Sequence, residues 1–278
     1  MMLQDIAPHA LNNRYDPEAR PEDDDFVLFL SGRRILVSTE AGVRFPSVGM
    51  LDASAVPTLI YLFSVDDERY FLLPGDEAPA LPGFVLTDLK QLREAEPSPK
   101  YRVFAAVTGK HLADWYRDTH FCGRCGRPMT HSGTERAMVC SACGYTAYPR
   151  IMPAVIVGVI SGERLLLTRY RRGYNHNALI AGFTEIGETM EQTVAREVME
   201  EAGLRVKNIR YYKSQPWGVS NDILAGYWCD VDGDDAIRMD SDELKEAVWT
   251  ARQDIVLQPD RSSLTNEMME CFKNGEKV

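Results

Sequence analysis

The chain has 278 residues, 45% of them hydrophobic and 26% charged, a globular composition long enough for two modest domains and a small insert. A formal charge of −10 and a pI near 5.1 argue against a protein that holds nucleic acid non-specifically, leaving only a local basic patch at Arg169, Arg171 and Arg172. The opening MMLQDIAPHALNNRYD lacks the basic and apolar regions of a secretory signal, and no run reaches the about 18 apolar residues of a membrane span. A soluble cytoplasmic protein is expected.

The first 24 residues are polar and end in PEDDD, so the extreme N-terminus is expected to be mobile. FVLFL, a Ser31-Gly32 turn and RRILV read as a β-hairpin. TLIYLFSV, an acidic turn at Asp66-Asp67-Glu68 and RYFLLPG read as a second, and VLTDLKQLREAE as a short amphipathic helix. Together, from about Asp25 to Pro97, they predict a small α+β domain. It contains no polar constellation that suggests chemistry, so a scaffold or dimerisation role is expected.

KYRVFAAVTGKHLADWYRDTHF is predicted helical and leads into Cys122-Gly-Arg-Cys125 and Cys140-Ser-Ala-Cys143. Each CxxC turn can present two thiolates to one metal, and two such turns complete a tetrahedral four-cysteine zinc site. Four sulfur ligands leave no open position, so this zinc is structural. A redox pair would leave the second CxxC unexplained. Zinc ribbons can contact nucleic acid, but here the preferred reading is a clip that stabilises a segment too short to build its own core. Cys229 and Cys271 stand alone and read as small buried hydrophobes.

After Tyr148-Pro149 the pattern becomes strand-rich. PAVIVGVI, a Ser161-Gly162 turn and ERLLLTRY form a predicted hairpin, and ALIAGF a strand. KNIRYYKSQPW, ILAGYWCDV and EAVWT are further strands, and RSSLTNEMMECFKN a closing helix. Between them lies GFTEIGETMEQTVAREVMEEAGL, Gly182 to Leu204. Thr189 and Gln192 form a capping box that starts a helix, and Gly203 supplies its left-handed stop. Val194, Ala195, Val198, Met199 and Ala202 are the expected buried face, with Glu197, Glu200 and Glu201 gathered on the other side beside Arg196. Like charges at i,i+4 repel, and no lysine in the stretch relieves them. Hard divalent cations take oxygen ligands and bridge carboxylates to phosphates, which such a face suits.

Gly182, Glu188, Arg196, Glu197, Val198, Glu200, Glu201, Gly203 and Leu204 occupy every specified position of Gly-x5-Glu-x7-Arg-Glu-U-x-Glu-Glu-x-Gly-U, where U is bulky and aliphatic. The stretch therefore resembles the Nudix box. The N-terminal region, the four-cysteine ribbon, Tyr148-Pro149 and Ser214-Gln215-Pro216-Trp217 resemble the NADH pyrophosphatase (NAD diphosphatase) branch of bacterial Nudix hydrolases. That branch carries SQPWPFPxS, where this chain reads SQPWGVSND from Ser214 to Asp222. The change removes a rigid aromatic segment and puts the Asp222 carboxylate near an anionic ligand.

The resemblance implies an α+β chain: an N-terminal domain over residues 1–115, a zinc ribbon over 116–148 and a Nudix α/β/α sandwich over 149–278. It implies Mg²⁺ or Mn²⁺ held by Glu197, Glu200, Glu201 and Glu243, with Glu201 also as base, Arg196 bracing the carboxylates and Glu188 in the loop. Phe183 resembles the base-stacking residue of the family. Gln215 and Trp217 look like ligand contacts, Trp217 reaching across a dimer, and Tyr148 is a further candidate that could instead pack between ribbon and catalytic domain. The implied activity is metal-assisted hydrolysis of NAD(H) to AMP and nicotinamide mononucleotide, with NAD-capped RNA as a related substrate and a homodimer as the assembly. The altered marker keeps open another nucleoside diphosphate derivative such as ADP-ribose. A Nudix-derived ligand-sensing regulator is disfavoured, because every carboxylate of the box is present.

Overall fold

The computed structural model describes residues 1–40, 42–94, 99–173 and 175–276. The chain forms two compact units: Leu3–Arg150 with Gly218–Asn221, and Ile151–Trp217 with Asp222–Val278 and Met1–Met2. Among the described residues no helix is long and apolar enough to cross a membrane.

The first unit contains β1 (Leu11–Asn12), β2 (Phe26–Leu28), β3 (Leu30–Ser31), β4 (Arg34–Val37), β5 (Ile60–Val65), β6 (Glu68–Leu72) and β7 (Val85–Asp88). They form two sheets, ordered β1-β5-β6-β2 and β3-β4-β7. The polar first 24 residues are anchored where apolar side chains interrupt them: Leu3 and Ile6 are buried, and β1 pairs with the end of β5. The hairpin expected from FVLFL is divided. Phe26–Leu28 runs parallel to β6, and only Leu30 and Ser31 fold back on Ile35 and Arg34 over a Gly32-Arg33 turn whose Gly32 has φ 60°. The second hairpin is as expected, turning at Asp66-Asp67 with Glu68 already paired to Val65.

The short helix begins later than its apolar spacing suggests. Val85–Asp88 pairs with β4 instead, and the Asp88 carboxylate accepts the Lys90 N–H at 2.7 Å, starting α1 (Leu89–Glu94). Ala95 and Glu96, its expected end, lie outside the described residues. The long α2 (Lys100–Asp118) then leads to the ribbon, whose β8 (Thr130–His131), β9 (Met138–Val139) and β10 (Thr146–Ala147) make an antiparallel sheet. Cys122, Met129, Met138 and Cys140 share one apolar cluster with Leu62, Phe63, Val107 and Trp115. The ribbon is thus packed into a larger core.

Gly218–Asn221, which stands in place of the aromatic half of the marker, also belongs to this unit. A Cβ on Gly218 would lie 2.4 Å from the Val107 carbonyl oxygen, so only glycine fits. The Val219 carbonyl accepts from Lys110 Nζ at 2.7 Å, and Asn221, at φ 67°, donates to Asp114 at 3.2 Å. Lys110 and Asp114 are themselves a buried ion pair at 2.7 Å.

The second unit is built on β11 (Met152–Ser161), β12 (Arg164–Tyr170), β13 (Ile180–Phe183), β14 (Val206–Trp217), β15 (Asp222–Val231) and β16 (Leu244–Ala251). Its sheet runs β14-β15-β11-β12-β16, with β13 also on β11; β11 and β15 are parallel and the other pairs antiparallel. Strand alternation gives each face its own core. Ala154, Ile156, Leu165, Leu167 and Trp228 pack with Leu264, Met268, Met269 and Phe272 of α4 (Leu264–Lys273). Val155, Val157, Val159, Leu166 and Cys229 pack with Val194, Val198 and Ala202 of α3 (Met190–Ala202). A helix on each face makes the expected α/β/α sandwich.

The buried face of α3 is rotated from the expected one. Thr193 and Glu201 join Val194, Val198 and Ala202 inside, while Ala195 and Met199 are exposed. Hydrophobicity alone assigns Glu201 to solvent, but the helix turns that carboxylate toward the sheet.

Candidate active site

The helix is fixed at both ends. The Gln192 N–H donates to the Thr189 hydroxyl at 3.2 Å, the Thr189 N–H donates to the Gln192 side chain at 2.8 Å, and Gly203 closes α3 at φ 67°. Beneath it, Gly182 pairs with Val155, and a Cβ there would lie 2.0 Å from the Glu197 carboxyl. The glycine is therefore required for Glu197 to lie flat against the sheet.

Arg196 is the hub. Its Nε and Nη2 donate to the two oxygens of Glu188 at 2.7 and 2.9 Å. Nη1 donates to Glu197 at 2.7 Å and to Glu200 at 2.9 Å, and Nη2 also donates to the Phe183 carbonyl at 2.9 Å. These bonds engage all five N–H donors of the guanidinium. The bond from Arg196 holds the Glu188 carboxyl down at about 2, outweighing its desolvation, and the Glu185 N–H and the Thr193 hydroxyl add to it. The loop, the helix and the end of β13 are thereby tied together.

Glu201 is the opposite case. It is 1% exposed, and among the described residues no side chain hydrogen-bonds either carboxylate oxygen; only the Ala181 backbone N–H is directed at it. Burial, followed by the charges of Glu243, Glu197 and Asp240, pushes its carboxyl up to about 8 against the opposing Ala181 backbone amide. Burial also raises Glu197, with Arg196 opposing. Glu200 is more than half exposed. Unpaired buried carboxylate oxygen must take up a proton or a cation. The hard oxygen donors here fit a divalent cation of the magnesium type.

The oxygens of Glu197, Glu200 and Glu201 are not gathered to liganding distance; among the described residues only the four cysteines converge so closely. Like charges stay apart without a cation, and Arg196 draws Glu197 and Glu200 toward itself.

Of the remaining expected site residues, Phe183, Gln215, Trp217 and Asp222 share one face of the sheet through the β13-β11-β15-β14 register, and Tyr148 lies in the other unit. Phe183 is half exposed, its carbonyl held by Arg196 and its ring on the α4 face of the sheet with Ala154, opposite the face that carries Glu197. Gln215 is wholly buried: its Oε1 accepts the Leu264 N–H at 2.7 Å and its Nε2 donates to the Ser262 carbonyl at 2.9 Å, so its amide caps α4. Trp217 packs on that same α4 face. Asp222 is buried opposite Trp217 in the β14–β15 ladder. Tyr148 lies in the first unit, exposed, its hydroxyl donating to Glu135 at 3.1 Å. In the basic patch, Arg169 pairs with Glu246 at 3.4 Å, and Arg171 donates to the Ser241 carbonyl at 2.9 Å. Tyr170 joins the cluster unannounced by any motif. Burial raises its phenol, and the charges of Glu201, Glu243 and Glu197 all add to the effect.

In the ribbon, Cys122 and Cys143 sulfurs are 3.7 Å apart, and those of Cys125 and Cys140 are 3.5 Å apart. Zinc–sulfur bonds of about 2.3 Å at tetrahedral angles set sulfurs about 3.8 Å apart, so the cage fits zinc. The Gly126 N–H donates to the Cys122 carbonyl at 2.8 Å and the Gly144 N–H to the Cys140 carbonyl at 2.9 Å, both glycines near φ 70°, which makes two matching knuckles.

Residues 150–270 match the family model of the NUDIX domain. This part of the chain is a Nudix domain. Residues 117–148, just before it, match the NADH pyrophosphatase zinc ribbon domain. The chain is 42% identical over 168 residues to a protein of Citrobacter koseri named NAD-capped RNA hydrolase NudC, a span of 59% of this chain and 64% of that one. A Salmonella heidelberg protein of the same name is 42% identical over 166 residues, with the same coverage. These alignments thus span less than two thirds of the relatives' own length. The crystal structure of a NUDIX hydrolase from Nitrosomonas europaea superposes with TM-score 0.50 at 21% identity, covering 57% of this chain and 94% of that one, a likeness of fold. The Nudix sandwich and the four-cysteine ribbon before it agree with the sequence reading.

Proposed function

We propose that this protein is a metal-dependent hydrolase of the diphosphate bond of NAD(H), releasing AMP and nicotinamide mononucleotide, and that it cuts the same bond at NAD-capped RNA ends. The observation that carries the reading is Glu201, buried with no side-chain partner for either oxygen on a helix braced by Arg196. The ribbon preceding the Nudix domain and the names of the relatives support NAD(H) as substrate.

Magnesium or manganese would be held by Glu201 with Glu197, Glu200 and Glu243. When bound, such an ion neutralises diphosphate charge and makes water more acidic. Glu201 would accept the proton of the attacking water, and Arg196 keeps Glu188 and the Phe183 carbonyl in position. The half-exposed Phe183 ring offers a face for a base. We assign residues 1–115, 116–148 and 149–278 as the three domains and place the protein in the cytoplasm as a homodimer. Trp217 lies on the α4 face of the sheet, as Phe183 does, and would reach ligand across the dimer; the exposed Tyr148 is a further candidate for a ligand contact.

The departure at Gly218–Asp222 favours a second reading, cleavage of ADP-ribose. Product chromatography after incubation with Mg²⁺ or Mn²⁺ and, separately, NADH, NAD⁺ and ADP-ribose decides between them. AMP and nicotinamide mononucleotide formed faster than ADP-ribose is cut support the first. Faster ADP-ribose cleavage with NAD(H) untouched replaces it with the second.

A further inference from the structure

Tyr170 ends β12, and its placement follows from the strand. Leu165 and Leu167 face α4, Leu166 faces α3, and Thr168 and Tyr170 continue the α3 side, where Glu197 and Glu201 lie. The β12–β16 register breaks at this point: Arg169 is opposite Glu246, but Tyr170 is opposite Leu244, so Lys245 is passed over. The extra residue is on β16, so β12 keeps its alternation through Tyr170. The next N–H, of Arg171, donates to the Glu243 carbonyl at 3.0 Å, which ties Tyr170 to the loop bearing that acid. The ring is half-buried; its hydroxyl oxygen faces the Ala181 backbone N–H, and no side chain of the described residues hydrogen-bonds it, so its O–H is left to donate. Elsewhere Tyr15, Tyr70, Tyr101 and Tyr148 donate to oxygens of the protein.

A diphosphate at Glu201 meets a wall of carboxylates. It needs hydrogen-bond donors, and Arg196 has none left after Glu188, Glu197, Glu200 and the Phe183 carbonyl. A phenol is neutral at physiological pH and brings an O–H donor without a second formal charge. We infer that Tyr170 is a further substrate-contacting residue, its hydroxyl donating a hydrogen bond to a phosphoryl oxygen of the diphosphate. The inference rests on the diphosphate-hydrolase reading above and adds to it the donor that faces the phosphate.

The test compares wild type, Tyr170→Phe and Glu201→Gln, as full-length zinc-loaded proteins, with NADH and Mg²⁺, and measures Mn²⁺ affinity without nucleotide by electron paramagnetic resonance. Loss of one hydrogen bond to a charged oxygen should lower kcat/KM of Tyr170→Phe by about 10- to 100-fold. Its Mn²⁺ affinity and melting temperature should stay at the wild-type values. Tyr170→His, which restores an N–H donor, should recover part of the rate, and it replaces the phenylalanine variant if that one does not fold. A kcat/KM within twofold of wild type overturns the inference. So does a fall in Mn²⁺ affinity matching the loss of rate, because the tyrosine would then be supporting the carboxylates. If wild type hydrolyses neither NADH nor ADP-ribose with metal, the hydrolase reading fails and the inference falls with it; a live wild type, a dead Glu201→Gln and an unimpaired Tyr170→Phe sink the inference alone.

Discussion

Glu201→Gln keeps the shape of the side chain and removes its charge. The folded protein raises this carboxyl from 4.5 to about 8 through burial, then through Glu243, Glu197 and Asp240. Between those values the native state holds a proton that the unfolded chain has released. The contribution of Glu201 is therefore fully present below about pH 4.5 and declines as pH rises, by about 1.36 kcal/mol per unit, until it is lost near pH 8. Across the window this amounts to roughly 5 kcal/mol, in line with what an unpaired buried charge costs. Glutamine has no such slope. Thermal unfolding of the two proteins from pH 5 to 9, with zinc retained and no other divalent metal added, should show a gap that widens with pH. The variant should be the more stable at the alkaline end, by on the order of 10 °C. Added Mg²⁺ should raise the melting temperature of wild type alone, and the variant should lose most turnover. Melting curves that stay parallel over the whole pH range, or equal stabilisation of both by Mg²⁺, would refute the account of Glu201 as an uncompensated buried acid.

Gly182→Ala should lower kcat by about 100-fold with intact folding, since the new methyl must displace the Glu197 carboxyl now 2.0 Å from its position; steady-state rates beside a circular dichroism melt check this. Gln215→Ala should destabilise the protein by about 1–3 kcal/mol, because it strands the Leu264 N–H and the Ser262 carbonyl, and should leave KM for NADH unchanged. A raised KM at unaltered stability would instead make Gln215 a ligand contact. Cys140→Ser should reduce bound zinc from about one per chain by elemental analysis and expose the ribbon to proteolysis. Gly158→Ala should destabilise by about 1–3 kcal/mol in urea titrations, because its Cβ would sit 2.3 Å from the Trp228 ring.

Much of the candidate site was legible because its signals are local. A capping box, a helix-stopping glycine, an arginine and its glutamates lie within one turn-and-helix segment, and the paired CxxC turns need only their own spacing. Other signals are not local. Val85–Asp88 looked helical but was claimed by β4, and FVLFL looked like one strand but was divided between two sheets. Each was decided by a partner strand distant in sequence. The motif reads Gln215 as a ligand contact, and the tertiary structure gives its buried amide a helix to cap, one that begins at Leu264.

The amino-acid sequence by itself determined the Nudix helix with its caps, the four-cysteine cage and the alternation that gives one sheet two apolar faces, because each depends on residues a few positions apart. Only the tertiary structure decided that Glu201 turns inward without a side-chain partner, that Glu197 lies on Gly182, and that Tyr170 stands beside the same carboxylates. It also decided that Gly218 must be glycine, since the Val107 carbonyl leaves no room for a side chain. These are matters of approach and burial between segments far apart along the chain, and burial sets the energy of a charge more strongly than the identity of its neighbours in sequence.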